Sequence, residues 1–324
     1  MLHSVTSQPT GSSGNEEAAV SDALSIVYSP CPNDTFVFHA WSHGLVPGAP
    51  PVEVTHADID VTNGMVERGE GDILKISYAA LPGVLDRYAL LPCGGALGHG
   101  CGPLVVTADP AATPEKLTGA VVAVPSERST AYLLFRLWAR HAVPGGVGRI
   151  VVLPFHEIMS AVRDGTVDAG LVIHEARFTY QEFGLHMTAD LGAAWESRSG
   201  LPIPLGAIVA RRSLGAPRLL EIATAIRASV AHAWAAPDDS RAYVREHAQE
   251  LAPEVQQQHI GLYVNEFTAD LGPTGYAAVR ALLRGAAEEG LCEPPSAQAL
   301  AFPGPDALPD PLPTANPRLE VPRP

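Results

Sequence analysis

The sequence predicts an α/β fold, because short apolar runs rich in β-branched residues alternate with segments of helical period. The segments expected to form buried strands are 24–28, 51–55, 73–77, 103–107, 120–124, 150–155, 169–174 and 204–210. Helical patterns at 130–141 and 157–164 separate three of these strands. This alternation favours mostly parallel sheets.

The order of the segments indicates two lobes with a ligand cleft between them. We expect lobe 1 to be discontinuous, formed by residues 24–108 and 203–292, and lobe 2 to be formed by residues 109–202. Chain crossings near Val106 and Leu205 would then form a hinge. This plan is that of a periplasmic-binding-protein-like (type II) fold, and 324 residues suffice for the two cores that it needs.

The two ends of the chain are expected to be disordered extensions outside both lobes. Residues 1–23 are rich in Ser, Thr, Gly and Glu, and residues 293–324 hold 10 of the chain's 30 prolines without any apolar period. Residues 1–20 also lack the basic and apolar regions of a secretory signal. A cytoplasmic location is therefore predicted.

Charge and cysteine content favour a small-molecule partner. The net charge is −14, and the basic residues form no run that could follow a nucleic-acid backbone. No apolar segment reaches the length of a membrane span, so membrane insertion is not expected. The four cysteines have neither a CxxC pair nor a framework spacing, which predicts reduced thiols without a disulfide or a metal site.

The loop at residues 29–34 follows the first predicted strand, where ligands of open α/β sheets bind. Pro30 and Pro32 stiffen this loop, and Asn33 and Asp34 are suitable N-caps for a helix whose pattern begins at residue 36. A stiff loop before free helix N–H groups suits anion capture, so Asn33 and Asp34 are predicted substrate contacts. A proline-rich turn without a ligand is the alternative.

Two further segments predict opposite sides of an anion site. Lys75 is a cation at the end of an apolar strand, where it needs a counter-charge or a solvent-filled cleft, and Ser77 is expected to cap the next helix. Across the cleft, Ser129 or Thr130 is expected to cap the helix at 130–141 and to leave N–H groups free for a carboxylate. A lysine whose head group reaches solvent at a sheet edge is the alternative for Lys75.

His174 is the predicted general base, because it ends an apolar strand and an imidazole exchanges a proton near neutral pH. Strand alternation would direct Glu175 to the opposite face, where it would support the loop. His99 is the second candidate base. A histidine with a purely structural hydrogen bond is the alternative at position 174.

Several long motifs, in this order, resemble those of the 1,4-dihydroxy-6-naphthoate synthases of the futalosine route to menaquinone. They are SPCPNDTFVFHA (29–40), KISYAAL (75–81), GGALGHGCGPLVV (94–106), STAY (129–132), LVIHEARFTY (171–180) and LPIPLGAIVARR (201–212). The resemblance extends from about residue 26 to residue 291.

The resemblance implies conversion of cyclic dehypoxanthine futalosine to 1,4-dihydroxy-6-naphthoate by a lyase that needs no cofactor. It implies that His174, in the family's IHE motif, is the proton acceptor. The substrate contacts that it implies are Leu74, Lys75, Ile76, Thr130 and Ala131.

Two other readings stay open. A chorismate dehydratase of the same pathway and fold would also bind a carboxylate between two lobes, but the IHE motif and the loop at residues 29–34 favour the synthase. A non-catalytic solute-binding protein would share the fold, although the exported kind needs a signal that residues 1–20 do not provide.

Overall fold

The computed structural model describes residues 23–248 and 252–303, and it places two β-sheets there, one at the centre of each lobe. The strands are β1 (Leu24–Tyr28), β2 (Val52–His56), β3 (Ile73–Ser77), β4 (Tyr88–Leu90), β5 (Ala96–Gly98), β6 (Leu104–Thr107), β7 (Val121–Val124), β8 (Arg149–Val152), β9 (Ala169–Val172), β10 (His186–Asp190) and β11 (Ile203–Arg211). The helices are α1 (Pro32–Ser42), α2 (Ile59–Arg68), α3 (Thr130–Ala142), α4 (Phe155–Arg163), α5 (Ala176–Thr179), α6 (Leu191–Ser199), α7 (Gly215–Ala235), α8 (Arg241–His247), α9 (Pro253–Tyr263), α10 (Glu266–Ala269), α11 (Gly272–Glu288) and α12 (Ala297–Leu300). The predicted α/β class is confirmed.

Both sheets are mixed, so the expectation of mostly parallel sheets was wrong. The first sheet has the order β2-β1-β3-β11-β4, with β5 also paired to β11, and the second has the order β10-β6-β9-β7-β8. Strand pairs β1–β2, β1–β3, β7–β8 and β7–β9 are parallel. The chain enters each sheet from the opposite end when it crosses between lobes, and the crossing strands β6 and β11 therefore pair antiparallel with their neighbours.

The hinge region differs from the expected boundary. The prediction put residues 103–107 in lobe 1, whereas β6 pairs with β9 and β10 in the second sheet. β11 then returns the chain to the first sheet beside β3. The other predicted boundaries of the lobes stay predictions.

Helix α1 begins at Pro32, four residues before the predicted start at Phe36. Proline is favoured in the first turn of a helix, because a backbone N–H group there would have no partner within the helix and its absence costs no hydrogen bond. Cys31 occupies the cap position, but its side chain makes no hydrogen bond to the N–H groups of the helix. Asn33 and Asp34 therefore lie inside the helix and do not cap it, contrary to the prediction.

The segment after β3 is a 3-10 helix, Tyr78–Gly83, and Ser77 does not cap it through its side chain. Asn63 of α2 holds Ser77 instead: the Ser77 N–H donates to Asn63 Oδ1 at 2.8 Å, and Asn63 Nδ2 donates to Ser77 Oγ at 3.0 Å. Pro82 lies inside this short helix, where it cannot donate a backbone hydrogen bond. Ser77 thus occupies the predicted N-cap position, but its side chain does not make the capping hydrogen bond.

Strand β3 separates core from cleft by its alternation. Leu74 and Ile76 are fully buried in the largest apolar cluster, together with residues of β9, α3 and α11. Lys75 and Ser77 point to the other side. The same alternation that anchors the strand thus presents two polar side chains to the cleft.

The tail departs from its prediction as far as it is described. Ser296 caps helix α12, and Leu300 is only 2 % exposed in the main apolar cluster. The Arg212 guanidinium donates to the carbonyl of Ala299 at 3.0 Å. Residues 293–303 therefore contain a packed helix, while the expected disorder of residues 1–22 and 304–324 lies outside the described residues.

Candidate active site

A cavity of about 90 Å³ lies in the cleft, lined by side chains from both lobes. Six of the predicted site residues line it: Asn33, Lys75, Ser77, Thr130, Ala131 and His174. The cavity lining does not include Leu74, Ile76 or Asp34, whose side chains are buried in the core or behind the cavity wall. Direct substrate contact by these three stays a prediction that this arrangement does not support.

His174 adopts a left-handed backbone conformation two residues after β9. Its φ is 53°, and it is the one non-glycine residue with positive φ in the described part of the chain. Such a conformation costs about 1 kcal/mol or more for a side chain with a β-carbon, and it persists where the surroundings enforce it. The strain directs the imidazole into the cavity, between the edge of Phe155, with ring centroids 5.4 Å apart, and the parallel ring of His259, 6.4 Å away.

Cys31 holds one nitrogen of this imidazole. Its Sγ lies 3.4 Å from Nδ1 of His174. Burial, together with the carboxylates of Glu175 and Asp34, raises the pKa of the Cys31 thiol well above its ordinary value. The thiol is thus protonated at neutral pH. No hydrogen bond from the described residues engages Nε2 of His174, which leaves this nitrogen free for a ligand.

The positive charge of Lys75 is matched by Asp34, not by an open anion site. The Lys75 ammonium donates to Asp34 Oδ1, and both side chains are buried. Ser29 Oγ donates to Asp34 Oδ2 at 2.6 Å, and Asn33 Nδ2 donates to Asp34 Oδ1 at 2.8 Å. Asp34 therefore provides the counter-charge that the sequence predicts for Lys75. Since this charge is compensated, Lys75 is not a free cation for an anionic ligand near the loop at residues 29–34.

The N-terminus of α3 supplies donors to the cavity. Ser129 caps the helix by accepting from the Tyr132 N–H at 3.1 Å. The Thr130 hydroxyl is occupied, since it donates to Leu205 O at 2.8 Å and accepts from the Ala79 N–H at 3.2 Å. In the described structure the backbone N–H groups of Thr130 and Ala131 have no partner. Two N–H donors at the positive end of a 13-residue helix suit a carboxylate.

His259 is a cavity residue that the sequence did not reveal. It lies on α9, is 1 % exposed, and its Nε2 is 3.0 Å from Asn33 Oδ1. Burial, with smaller contributions from His174 and Lys75, lowers its pKa well below 6.5, so the ring is neutral near pH 7. Histidine within a helix carries no motif; its spacing of four residues from Tyr263, another cavity residue, is the signal that could have found it.

Glu175 lies closer to the imidazoles than predicted. Its Oε1 is 3.9 Å from Nδ1 of His259. β9 ends at Val172, so strand alternation no longer governs the direction of residue 175. Cys31, His174 and Glu175 place possible ligand atoms within 4.8 Å of one another and could hold a divalent ion, but an ion there would have to displace the thiol proton and would occupy His174.

His99, the second candidate base, lies outside the cavity lining. Its side chain is 59 % exposed and its Nδ1 is 3.0 Å from Glu196 Oε2. This geometry is that of a hydrogen bond at the surface. His99 is therefore not a base for a ligand in the cleft.

A family model for menaquinone biosynthesis matches residues 24–288. The chain belongs to the menaquinone biosynthesis family. Two curated members, both named 1,4-dihydroxy-6-naphtoate synthase, are similar over most of their length. The protein of Streptomyces coelicolor is 70 % identical over 282 residues, which cover 87 % of this chain and 99 % of that protein. The protein of Thermus thermophilus is 46 % identical over 273 residues, which cover 84 % and 97 %.

Solved structures of other proteins have the same fold as this member of the menaquinone biosynthesis family. A crystal structure from Archaeoglobus fulgidus matches with a TM-score of 0.77 and 33 % identity, covering 84 % of this chain and 99 % of that one. The periplasmic aliphatic sulphonate binding protein of Escherichia coli matches with a TM-score of 0.62 at 14 % identity, covering 87 % and 92 %. The predicted two-lobed, periplasmic-binding-protein-like fold is confirmed. Among the described residues, no helix has both the length and the apolar character needed to cross a membrane.

Proposed function

We propose that this protein is a 1,4-dihydroxy-6-naphthoate synthase that converts cyclic dehypoxanthine futalosine to 1,4-dihydroxy-6-naphthoate. The names of its two curated relatives support this activity. The observation that carries it is the strained His174, whose imidazole lines a cavity together with two free backbone N–H donors. A base and an anion site in one cleft suit proton abstraction from a carbon atom of a substrate that is held by its carboxylate.

The carboxylate of the substrate would bind at the start of α3. The N–H groups of Thr130 and Ala131 donate to it, and the partial positive charge of the helix end adds to the attraction. The Thr130 hydroxyl, which links α3 to the carbonyl of Leu205, fixes the position of this helix end. Substrate binding would thereby orient the ring system toward His174.

His174 would start the reaction by taking a proton from the carbon beside the ketone. Nδ1 faces Cys31, so Nε2 is the nitrogen that accepts this proton. Ring opening and loss of the sugar-derived fragment follow, and aromatisation of the naphthalene provides the driving force. In this scheme the enzyme is a lyase that uses no cofactor, and the neutral His259 ring and the Lys75–Asp34 pair form the wall behind the substrate.

The proposed partner is this small molecule, with no nucleic acid and no membrane insertion, and the proposed location is the cytoplasm. The four cysteines are free thiols in the structure, two of them 1 % exposed, which suits a reducing compartment. The net charge of −14 disfavours nucleic acid.

The deciding experiment is incubation of the purified protein with cyclic dehypoxanthine futalosine, with product followed by its naphthoate absorbance. Appearance of product in wild type but not in His174→Gln supports the proposal. Binding without turnover would instead make the chain a solute-binding protein, and dehydration of chorismate in a parallel assay would make it a chorismate dehydratase.

A further inference from the structure

The Nδ1 atom of His259 is a buried polar atom without a protein hydrogen-bond partner. The side chain is 1 % exposed, and the ring lines the same cavity as His174 and the N–H groups of α3. A buried acceptor without a donor destabilises the folded protein. In this family member the cost falls on a residue that faces the ligand cavity.

A chain of hydrogen bonds fixes which nitrogen of His259 carries the proton. Lys75 can only donate, so Asp34 accepts from it and, at the same Oδ1 atom, from Asn33 Nδ2. With its amide nitrogen directed at Asp34, Asn33 turns its Oδ1 to His259 Nε2 at 3.0 Å. An amide oxygen only accepts, so Nε2 bears the hydrogen. The Nδ1 atom of the neutral ring is then a bare acceptor.

The neighbouring carboxylate of Glu175 cannot satisfy this Nδ1 atom. Glu175 Oε1 lies 3.9 Å away, beyond hydrogen-bond distance, and a carboxylate is itself an acceptor. Two acceptors therefore face each other across a gap that only a donor can fill. Because His259 lines the cavity, a ligand bound there can supply this donor.

We propose that Nδ1 of His259 accepts a hydrogen bond from a hydroxyl group of the bound ligand, which makes His259 a specificity-determining residue. This assignment rests on the proposed function, whose product carries a carboxylate at one end and two ring hydroxyls at the other. Thr130 and Ala131 at the start of α3 and His259 of α9 line the same cavity, so a ligand whose carboxylate binds at α3 would direct its hydroxyl-bearing end to α9. Ligands without the hydroxyl leave both acceptors unpaired and bind more weakly.

Two ligands and two variants test this assignment. The ligands are 1,4-dihydroxy-6-naphthoate and 2-naphthoate, which has the ring and carboxylate but no hydroxyl; the readout is the ratio of their dissociation constants by calorimetry. His259→Asn places its amide oxygen near the position of Nδ1 and keeps the acceptor. His259→Gln places its amide nitrogen near the position of Nε2 and keeps the donor to Asn33. Circular dichroism establishes that both variants are folded.

We expect wild type and His259→Asn to prefer the dihydroxy ligand by about tenfold, and His259→Gln to bind both ligands within about twofold. A role confined to holding Asn33 gives the reverse ranking and overturns the assignment. The assignment is also overturned if both variants keep the wild-type ratio of dissociation constants, or if both lose the preference for the dihydroxy ligand.

The same data separate this assignment from the function on which it rests. If wild type turns over cyclic dehypoxanthine futalosine but its ligand preference does not depend on His259, only the assignment fails. If wild type neither turns over that substrate nor binds either naphthoate, the proposed function fails and the assignment falls with it.

Discussion

Cys31 Sγ lies 3.4 Å from His174 Nδ1, although 143 positions separate the two residues in the chain. Cys31 precedes α1 beside the first sheet, and His174 follows β9 of the second. The orientation of the proposed base therefore depends on how the two lobes meet. This contact leaves the other imidazole nitrogen for the substrate.

Removing the imidazole should abolish turnover while the protein stays folded. His174→Gln is expected to lower kcat by about a hundredfold or more, because a positioned general base contributes that much, and to change affinity for 1,4-dihydroxy-6-naphthoate little. Steady-state kinetics and a product titration measure the two effects. The matched control is His99→Gln, an exposed imidazole outside the cavity, which should keep wild-type kcat. Near wild-type turnover in His174→Gln would remove this residue from the mechanism.

The backbone at position 174 should reverse the usual ranking of alanine and glycine. Both His174→Ala and His174→Gly lose the ring, but only glycine adopts a φ of 53° without strain. We expect His174→Gly to be more stable than His174→Ala by about 1 kcal/mol in urea unfolding. Greater stability of the alanine variant would show that the loop relaxes once the imidazole is gone.

The Thr130 hydroxyl should matter more for stability than for direct ligand contact. Thr130→Val leaves the Leu205 carbonyl and the Ala79 N–H without their partner and should lower the free energy of unfolding by about 1–3 kcal/mol. Thr130→Ser retains both hydrogen bonds and serves as the control. Equal stability of the two variants in urea unfolding would contradict this role.

The buried Lys75–Asp34 pair should be costly to break and cheaper to remove. Lys75→Met leaves the Asp34 carboxylate buried without its counter-charge, which should destabilise the protein by about 3–5 kcal/mol. Adding Asp34→Asn removes that charge and should recover part of the loss. Thermal and urea unfolding of the single and double variants measure this. A double variant less stable than Lys75→Met would show that Asp34 has a separate structural role.

Stability should fall as the solution is acidified below about pH 6.5. Burial, followed by neighbouring imidazoles, lowers the pKa of His39, His56 and His259 in the folded protein. These histidines bind protons at about pH 6.5 in the unfolded chain but only at lower pH in the folded protein. The stabilisation that is present above about pH 6.5 is therefore lost as the pH falls from this value toward the lowered pKa values of the folded state. Urea unfolding at about pH 7.5 and about pH 5.5 should show the decrease. His39→Leu, which lacks one of these groups, should show a smaller one; an equal or larger loss would exclude His39 as a contributor.

Cavity residues that follow a strand were easier to predict from the sequence than residues that reach the cavity only because the two lobes pack together. His174 could be found because an apolar strand ends in an imidazole, and Thr130 because a capped helix follows another strand. His259 lies within a helix and reaches the cavity only through tertiary packing. The occupied hydroxyl of Thr130 depends likewise on a carbonyl 75 residues away.

The strand errors have a similar origin. β4 and β5 have three residues each, too few to show a period. The direction of β11 depends on which end of the sheet the chain enters after crossing, and composition does not record this. The early start of α1, in contrast, was readable, since Pro32 is a favoured first-turn residue.

The central position of β11 also affects how the protein is made. β11 lies between β3 and β4 in the first sheet, but residues 203–211 leave the ribosome only after all the strands of the second sheet. Vectorial synthesis thus completes the second sheet before the first, although the first begins earlier in the chain. Until residue 211 emerges, β3 exposes an unpaired edge to other nascent chains.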